Sequence, residues 1–361
     1  MKKTTLILFL SFCIFLSNAQ SKGASNQFDL EQRLTIEQSE LIYKTIKNVP
    51  EGTVISMAFV EGNKTKFIGI KRLNDTLVTY NGSKDIFEIG SLTKNISAYL
   101  LAELIVNKTV ELNQEINTVL DFNIKNNPKI TFNHLASHTS GLPRLPNNIV
   151  LSNLDNPYKN YSTELLKIFL ADSLTLNQNV GEKWDYSNLG YGVLGCVLTQ
   201  HSKKDLQKLY QENIFDKLQM KNTLLDKSKY TKPMVQGLDT KGKPCSNWDF
   251  DVMAAAGGLK SNSDDMVKFI KQHFNLENPA VMMVFKERIK LNENISGTMS
   301  WLNIKNKNIY ISNGGTGGFS SSLSIQPERK KGIIILTNIS GLGSFSVPLE
   351  TLNLQLLNTL K

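Results

Sequence analysis

The feature that most constrains this 361-residue chain is the placing of its strand-like segments at its two ends. Residues 53–60 and 65–73 flank Glu61-Gly62-Asn63-Lys64, which reads as a hairpin connection. Further strand-like segments lie far away, over 301–311, 320–326 and 332–337, the last holding the wholly apolar Ile333-Ile334-Ile335-Leu336. Between about 88 and 300 the pattern is mainly helical, broken by polar loops near 121–130, 143–160 and 227–248. Helical spacing also occupies 35–47 and the segment after Pro348, which carries Leu349, Leu352, Leu356 and Leu360. If the two N-terminal strands pair with the C-terminal ones, both ends of the chain form a single antiparallel sheet and the middle becomes an insertion. The expected fold class is α+β, an α/β sandwich: one antiparallel sheet formed by both chain ends (35–88 and 301–361) with flanking helices, plus an inserted mainly helical region (89–300). The seam between the two is where a site is expected.

The first 19 residues stand apart. Lys2 and Lys3 precede an apolar run from Leu6 to Leu16, followed by the small residues Ser17 and Ala19 in Ser17-Asn18-Ala19. This predicts a secretory signal peptide over 1–19, a linker over 20–34, and a periplasmic or extracellular mature protein. No segment approaches the roughly 20 apolar residues that a bilayer requires, so no membrane span is expected. Hydrophobic residues at 40% and charged residues at 20% exclude a disordered chain. The net charge of +9 is carried by scattered lysines such as Lys203-Lys204 and Lys330-Lys331, without interleaved aromatics. That is a solvated surface, so a nucleic-acid partner is not expected. Cys196 sits in an apolar run and reads as a core residue, with pairing to Cys245 left open.

The chain lacks G-x-S-x-G, H-E-x-x-H, C-x-x-C and a P-loop. His134 and His138 are four apart but have no acidic third ligand nearby in sequence, so they read as structural, and neither metal nor cofactor is expected. One S-x-x-K occurs, Ser91-Leu92-Thr93-Lys94, at the head of the apolar helix from Ile96 to Val106. Spacing of i, i+3 brings hydroxyl and amine onto one helical face. A serine becomes nucleophilic when a base takes its proton, and a lysine is a base only when burial keeps it neutral. Tyr186-Ser187-Asn188 places a phenol able to relay a proton two residues from an amide able to hold a substrate carbonyl. Tyr158-Lys159-Asn160 has the same short pattern and reads as a chance match. In Ser312-Asn313-Gly314-Gly315-Thr316-Gly317-Gly318-Phe319 the glycines leave a strand edge open to a peptide-like substrate.

In this order, and together with Leu135-Ala136-Ser137-His138-Thr139-Ser140-Gly141-Leu142-Pro143 and Ala256-Gly257-Gly258-Leu259, these blocks resemble the serine β-lactamase and penicillin-binding superfamily. They are most similar to its class C β-lactamases and their D,D-carboxypeptidase and esterase relatives. The resemblance implies that Ser91 is the acylated nucleophile, Lys94 its activating partner and Tyr186 the proton shuttle. It further implies that Asn188, with Ser312, Asn313, Gly314 and Gly315, binds substrate, and that the N–H groups of Ser91 and Gly315 form an oxyanion hole. One departure stands out: the family's third motif begins with Lys or His, and here that position is Ser312. The implied activity is hydrolysis of β-lactams or D-Ala-D-Ala-type peptidoglycan peptides. The missing cation keeps a carboxylesterase or D-amino-acid amidase as the alternative, and a non-catalytic penicillin or cell-wall sensor is the reading from another class. Oligomeric state is not legible.

Overall fold

The computed structural model describes residues 25–26, 34–149, 155–230 and 233–361. The expected signal peptide and nearly all of the expected linker lie outside the described residues.

Strands β1 (Ser25–Asn26), β2 (Val54–Glu61), β3 (Lys64–Leu73) and β4 (Thr76–Tyr80) come from one end of the chain. The short β5 (Phe87–Glu88) and β6 (Lys260–Ser261) pair with each other as a separate ribbon. Strands β7 (Ile289–Lys290), β8 (Ile295–Gly297), β9 (Leu302–Ile304), β10 (Ile309–Gly315), β11 (Ser320–Gln326) and β12 (Lys331–Thr337) come from the other end. All but the ribbon join one sheet in the order β1-β4-β3-β2-β12-β11-β10-β9-β8-β7. Every pairing in it is antiparallel except β1 with β4. The two chain ends meet at its centre, where Ile333 faces Phe59 and Ile335 faces Met57 across the β12–β2 ladder.

The apolar run in β12 has a direct cause. Both faces of this strand are covered, so alternation of polar and apolar residues is lost. Ile333 and Ile335 pack with helices α1 (Ile36–Ile46) and α11 (Ser346–Asn358), beside Ile42, Leu352 and Leu356. Ile334 and Leu336 point the other way, into the larger core around helix α2 (Leu92–Val106). Helix α1 begins where expected, with Thr35 and Gln38 forming a reciprocal capping box.

The middle of the chain supplies α3 (Phe132–Ala136), α4 (Thr163–Ile168), α5 (Asn188–Ser202), α6 (Leu206–Tyr210), α7 (Asp216–Leu218), α8 (Ala254–Gly257), α9 (Ser263–Gln272) and α10 (Pro279–Phe285). The sheet also takes in β7 and β8, ahead of the strand expected to open at Trp301. That strand is itself divided by a 3-10 turn over Lys305–Lys307. Cys196 is buried and Cys245 half-buried, and both are free thiols. No helix among the described residues is long and apolar enough to cross a membrane.

Candidate active site

Helix α2 is the axis of the site. Twelve of its fifteen residues are buried, so any polar side chain on it must find partners inside the protein. Ser91 occupies its N-cap position, yet its hydroxyl makes no capping bond. The Oγ atom instead accepts a hydrogen bond from the Tyr186 phenol at 2.7 Å and lies 3.1 Å from Lys94 Nζ. Lys94, at 1% exposure, donates to Asn188 Oδ1 at 2.9 Å and to the Ala256 carbonyl at 2.6 Å. Three segments far apart in sequence thus converge on one nitrogen and one oxygen.

Burial decides the charge states. It holds the Lys94 amine well below its ordinary value, and the Arg144 charge pushes the same way. Burial pushes the Tyr186 phenol up to about 12, against the hydrogen bond to Ser91 and the charge of Arg144, which both lower it. Burial thus favours the free amine of Lys94 and the protonated phenol of Tyr186. Two groups whose environments push them to opposite states are suited to act as base and acid.

The loop bearing Tyr186 is held from outside its own segment. Ser187 caps α5 by accepting from Gly190 N–H, and its hydroxyl donates to the Pro143 carbonyl at 2.7 Å. Asn188 N–H and Leu189 N–H both donate to the Arg144 carbonyl. His138 Nδ1 accepts from Ser187 N–H at 3.1 Å, and its ring lies 4.6 Å from that of Tyr186. Burial first, then the Lys94 and Arg144 charges, keep His138 far below its usual value, hence neutral. His134, by contrast, closes a capping box with Thr131 at the start of α3.

Strand β10 passes the head of α2 at close range. Gly90 has φ +50°, and a Cβ there would lie 2.6 Å from Gly315 N. The main chains of Ser91 and Gly315 are thus neighbours. Residues 312–315 pair with β11 on one edge, whereas the pairing with β9 stops at Ile311, so their other edge faces the cleft. Ser312 donates to Asn95 Oδ1 at 2.8 Å, beside the cleft but anchored to α2. Asn313 alternates to the opposite face, where it donates to Glu350 of α11, so its side chain does not join the cluster.

Three further residues belong to this cleft. Tyr158, set aside as a chance match, accepts from Asn188 Nδ2 at 3.3 Å. Its ring stacks on Phe250 at 4.9 Å and meets Trp248 edge-on at 5.4 Å, forming an aromatic wall. His138 and Arg144 are the other two. Their signal in the sequence was proximity to the Ser-His-Thr-Ser-Gly-Leu-Pro block, which carries no indication of which side chain turns inward. Tyr158→Phe is expected to lower kcat/KM by up to about tenfold with little change in Tm, since it removes one neutral hydrogen bond to Asn188. Steady-state turnover alongside a thermal melt checks this.

A profile of the β-lactamase family matches residues 57–357. The chain belongs to this family. Among curated relatives, protein flp of Staphylococcus aureus (strain MW2) is 24% identical over 292 residues, covering 75% of this chain and 56% of flp. The chain thus spans little more than half the length of flp. D-alanyl-D-alanine-carboxypeptidase/endopeptidase AmpH of Escherichia coli (strain K12) is 24% identical over 320 residues, covering 81% of each. Among solved structures, a β-lactamase/D-alanine carboxypeptidase from Pseudomonas syringae superposes with a TM-score of 0.74 at 20% identity, covering 90% of this chain and 98% of that one. A class C β-lactamase gives 0.73 at 18% identity, covering 90% and 96%. At such identities the structural matches establish a shared fold: a large antiparallel sheet with helices, as in β-lactamases and D-alanyl-D-alanine carboxypeptidases.

Proposed function

We propose that this chain is an exported serine hydrolase that works through an acyl-enzyme on Ser91, with β-lactams or D-Ala-D-Ala-type peptides as substrates. The observation that carries the reading is the double approach to one hydroxyl: Lys94 at 3.1 Å and Tyr186 at 2.7 Å. As a neutral amine Lys94 has two hydrogens, which Asn188 Oδ1 and the Ala256 carbonyl accept, and its lone pair is then left for the Ser91 proton. Ser91 Oγ bonds to the substrate carbonyl carbon as its proton passes to Lys94. The N–H groups of Ser91 and Gly315 stabilise the oxygen that gains negative charge, a contribution of several kcal/mol. When the carbon–nitrogen bond breaks, Tyr186 protonates the departing nitrogen and recovers a proton from Lys94. Water then cleaves the ester by the same steps in reverse. Asn188 and the Tyr158 wall receive the acyl portion, and the open edge of residues 312–315 takes its backbone as an added strand. The charged start and apolar run at Lys2 to Leu16 support export.

Ser312 favours a second reading within the same chemistry. It is uncharged and already bonded to Asn95, so β10 offers no cation to a substrate carboxylate. That suits a carboxylesterase or D-amino-acid amidase. Labelling with a fluorophosphonate, mapped to Ser91, is expected in either case. Turnover of nitrocefin, a D-Ala-D-Ala peptide and a p-nitrophenyl ester divides them. Fast ester cleavage with nitrocefin and peptide intact would defeat the β-lactamase and carboxypeptidase reading. An acyl-enzyme that forms and never turns over would mark a penicillin sensor, and a folded protein with Ser91 unlabelled would remove the hydrolase reading altogether.

A further inference from the structure

Glu88 stands three residues before Ser91 in the ribbon strand β5, and only 2% of it is exposed. A carboxylate taken out of water is costly unless charges and hydrogen bonds compensate it. Lys260 faces it across the β5–β6 pairing, but the lysine amine donates to the carbonyls of Leu225 and Gly258. The carboxylate itself holds chain segments: Glu88 Oε1 accepts from Trp248 N–H at 2.8 Å. Burial pushes its carboxyl up, while the Thr316 side chain, the Lys260 charge, the Asn247 side chain and the Trp248 N–H all lower it. Its neighbours thus come from the turn after β10 and from the loop bearing Trp248, and its own chain leads within three residues to Ser91. We infer that Glu88 is a positioning residue that sets the gap between the aromatic wall and the β10 edge, and so how well the cleft holds a bulky acyl group. This rests on the serine-hydrolase reading above and adds a determinant of acyl size to it.

The contacts on either side of Trp248 make that gap sensitive. On one side the indole meets Tyr158 edge-on at 5.4 Å, and Tyr158 in turn accepts from Asn188. On the other it lies against the turn after β10: a Cβ at Gly317 would be 2.7 Å from Trp248 Nε1. A shift of the Trp248 backbone therefore reaches both the acyl side of the cleft and the strand that carries Gly315. The turn does not need Glu88 for its own shape. Thr316, wholly buried, donates its N–H to the Phe319 carbonyl at 2.9 Å, and its carbonyl accepts from Gly341 N–H at 3.0 Å. What Glu88 adds is the link from that turn to the wall. Its removal would leave the buried Trp248 N–H without this acceptor, a loss that the loop relieves by moving.

The test compares two p-nitrophenyl esters that differ in the acyl group alone, acetyl and phenylacetyl. Wild type is expected to favour the phenylacetyl ester in kcat/KM. Glu88→Ala should lower that ratio by about tenfold or more, chiefly through KM, the scale of a small misplacement of a binding wall. Glu88→Gln keeps an acceptor for Trp248 N–H in the same shape and should retain most of the ratio. A merely structural loss would slow both esters alike and leave the ratio where it was. Should Glu88→Ala fail to fold, Thr316→Val takes its place, since it strips the hydroxyl beside the carboxylate and should move the ratio the same way. An unchanged ratio in the folded variant, or a Glu88→Gln enzyme as impaired as Glu88→Ala, overturns the inference. If wild type shows no preference or cleaves neither ester while a fluorophosphonate still labels Ser91, the role of Glu88 is refuted and the serine-hydrolase reading stands. If labelling fails as well, that reading falls first and takes the inference with it.

Discussion

Replacing Lys94 by methionine is expected to slow acylation of Ser91 by about 10²- to 10⁴-fold, the contribution of a positioned proton acceptor. Methionine keeps the buried volume and the unbranched shape, so the helix should form unchanged, as circular dichroism and a thermal melt would verify. What disappears is the amine 3.1 Å from Ser91 Oγ, which burial holds well below its ordinary value. The pH profile supplies a second readout. In wild type the rate should fall as pH drops through the lowered Lys94 value, because protonation removes the lone pair. The variant should lack that limb. Stability follows the same proton: between the lowered native value and the ordinary 10.5, the unfolded chain binds a proton that the native state does not, so wild-type stability rises with pH. The Lys94→Met melt should lose that slope. Acylation at the wild-type rate would remove Lys94 from the chemistry.

The second large effect is expected from one added methyl group. A Cβ at Gly314 would land on the Ile89 carbonyl oxygen, 2.5 Å from Ser321 Oγ and 2.8 Å from Ser91 N. Two of these are backbone atoms, which cannot swing aside. Gly314→Ala should therefore shift β10 away from the head of α2, and with it the Gly315 N–H that would face the oxyanion. A displacement of this kind costs about 10² in rate, and overpacking of a tight contact about 1 to 3 kcal/mol in stability. Gly343→Ala is the control: the nearest atoms to its added Cβ are 3.7 Å away, so activity and Tm should stay close to wild type. A Gly314→Ala enzyme that turns over normally would show that the contact between β10 and α2 does not set the reaction geometry.

How far the sequence was legible varied with the kind of signal. The split sheet was readable because strand-like segments cluster at the two chain ends around a mainly helical middle. The start of α1 was readable too, since Thr35 acts on a backbone group within three residues. Division of the 301–311 segment was not, because the turn over Lys305–Lys307 has no glycine or proline to announce it. Within the site, Ser91 and Lys94 share one helical turn, so their meeting is a local fact. Tyr158 is the opposite case: its short motif is uninformative, and its ring reaches Asn188 through packing against Phe250 and Trp248, far away in sequence.

Taken by itself, the sequence determined most of the central strands and the terminal helices, that the chain ends share a sheet, and that a hydroxyl and an amine sit one turn apart on an apolar helix. These follow from periodicity and spacing, which act over a few residues. Tertiary structure alone decided that Lys94 is fully enclosed and so pushed toward its free amine, that Tyr186 closes on Ser91 from 95 positions away, and that Arg144 and His138 flank the phenol. Desolvation and charge proximity depend on packing between distant segments, and no local pattern encodes the distance between two side chains that only the folded core brings together.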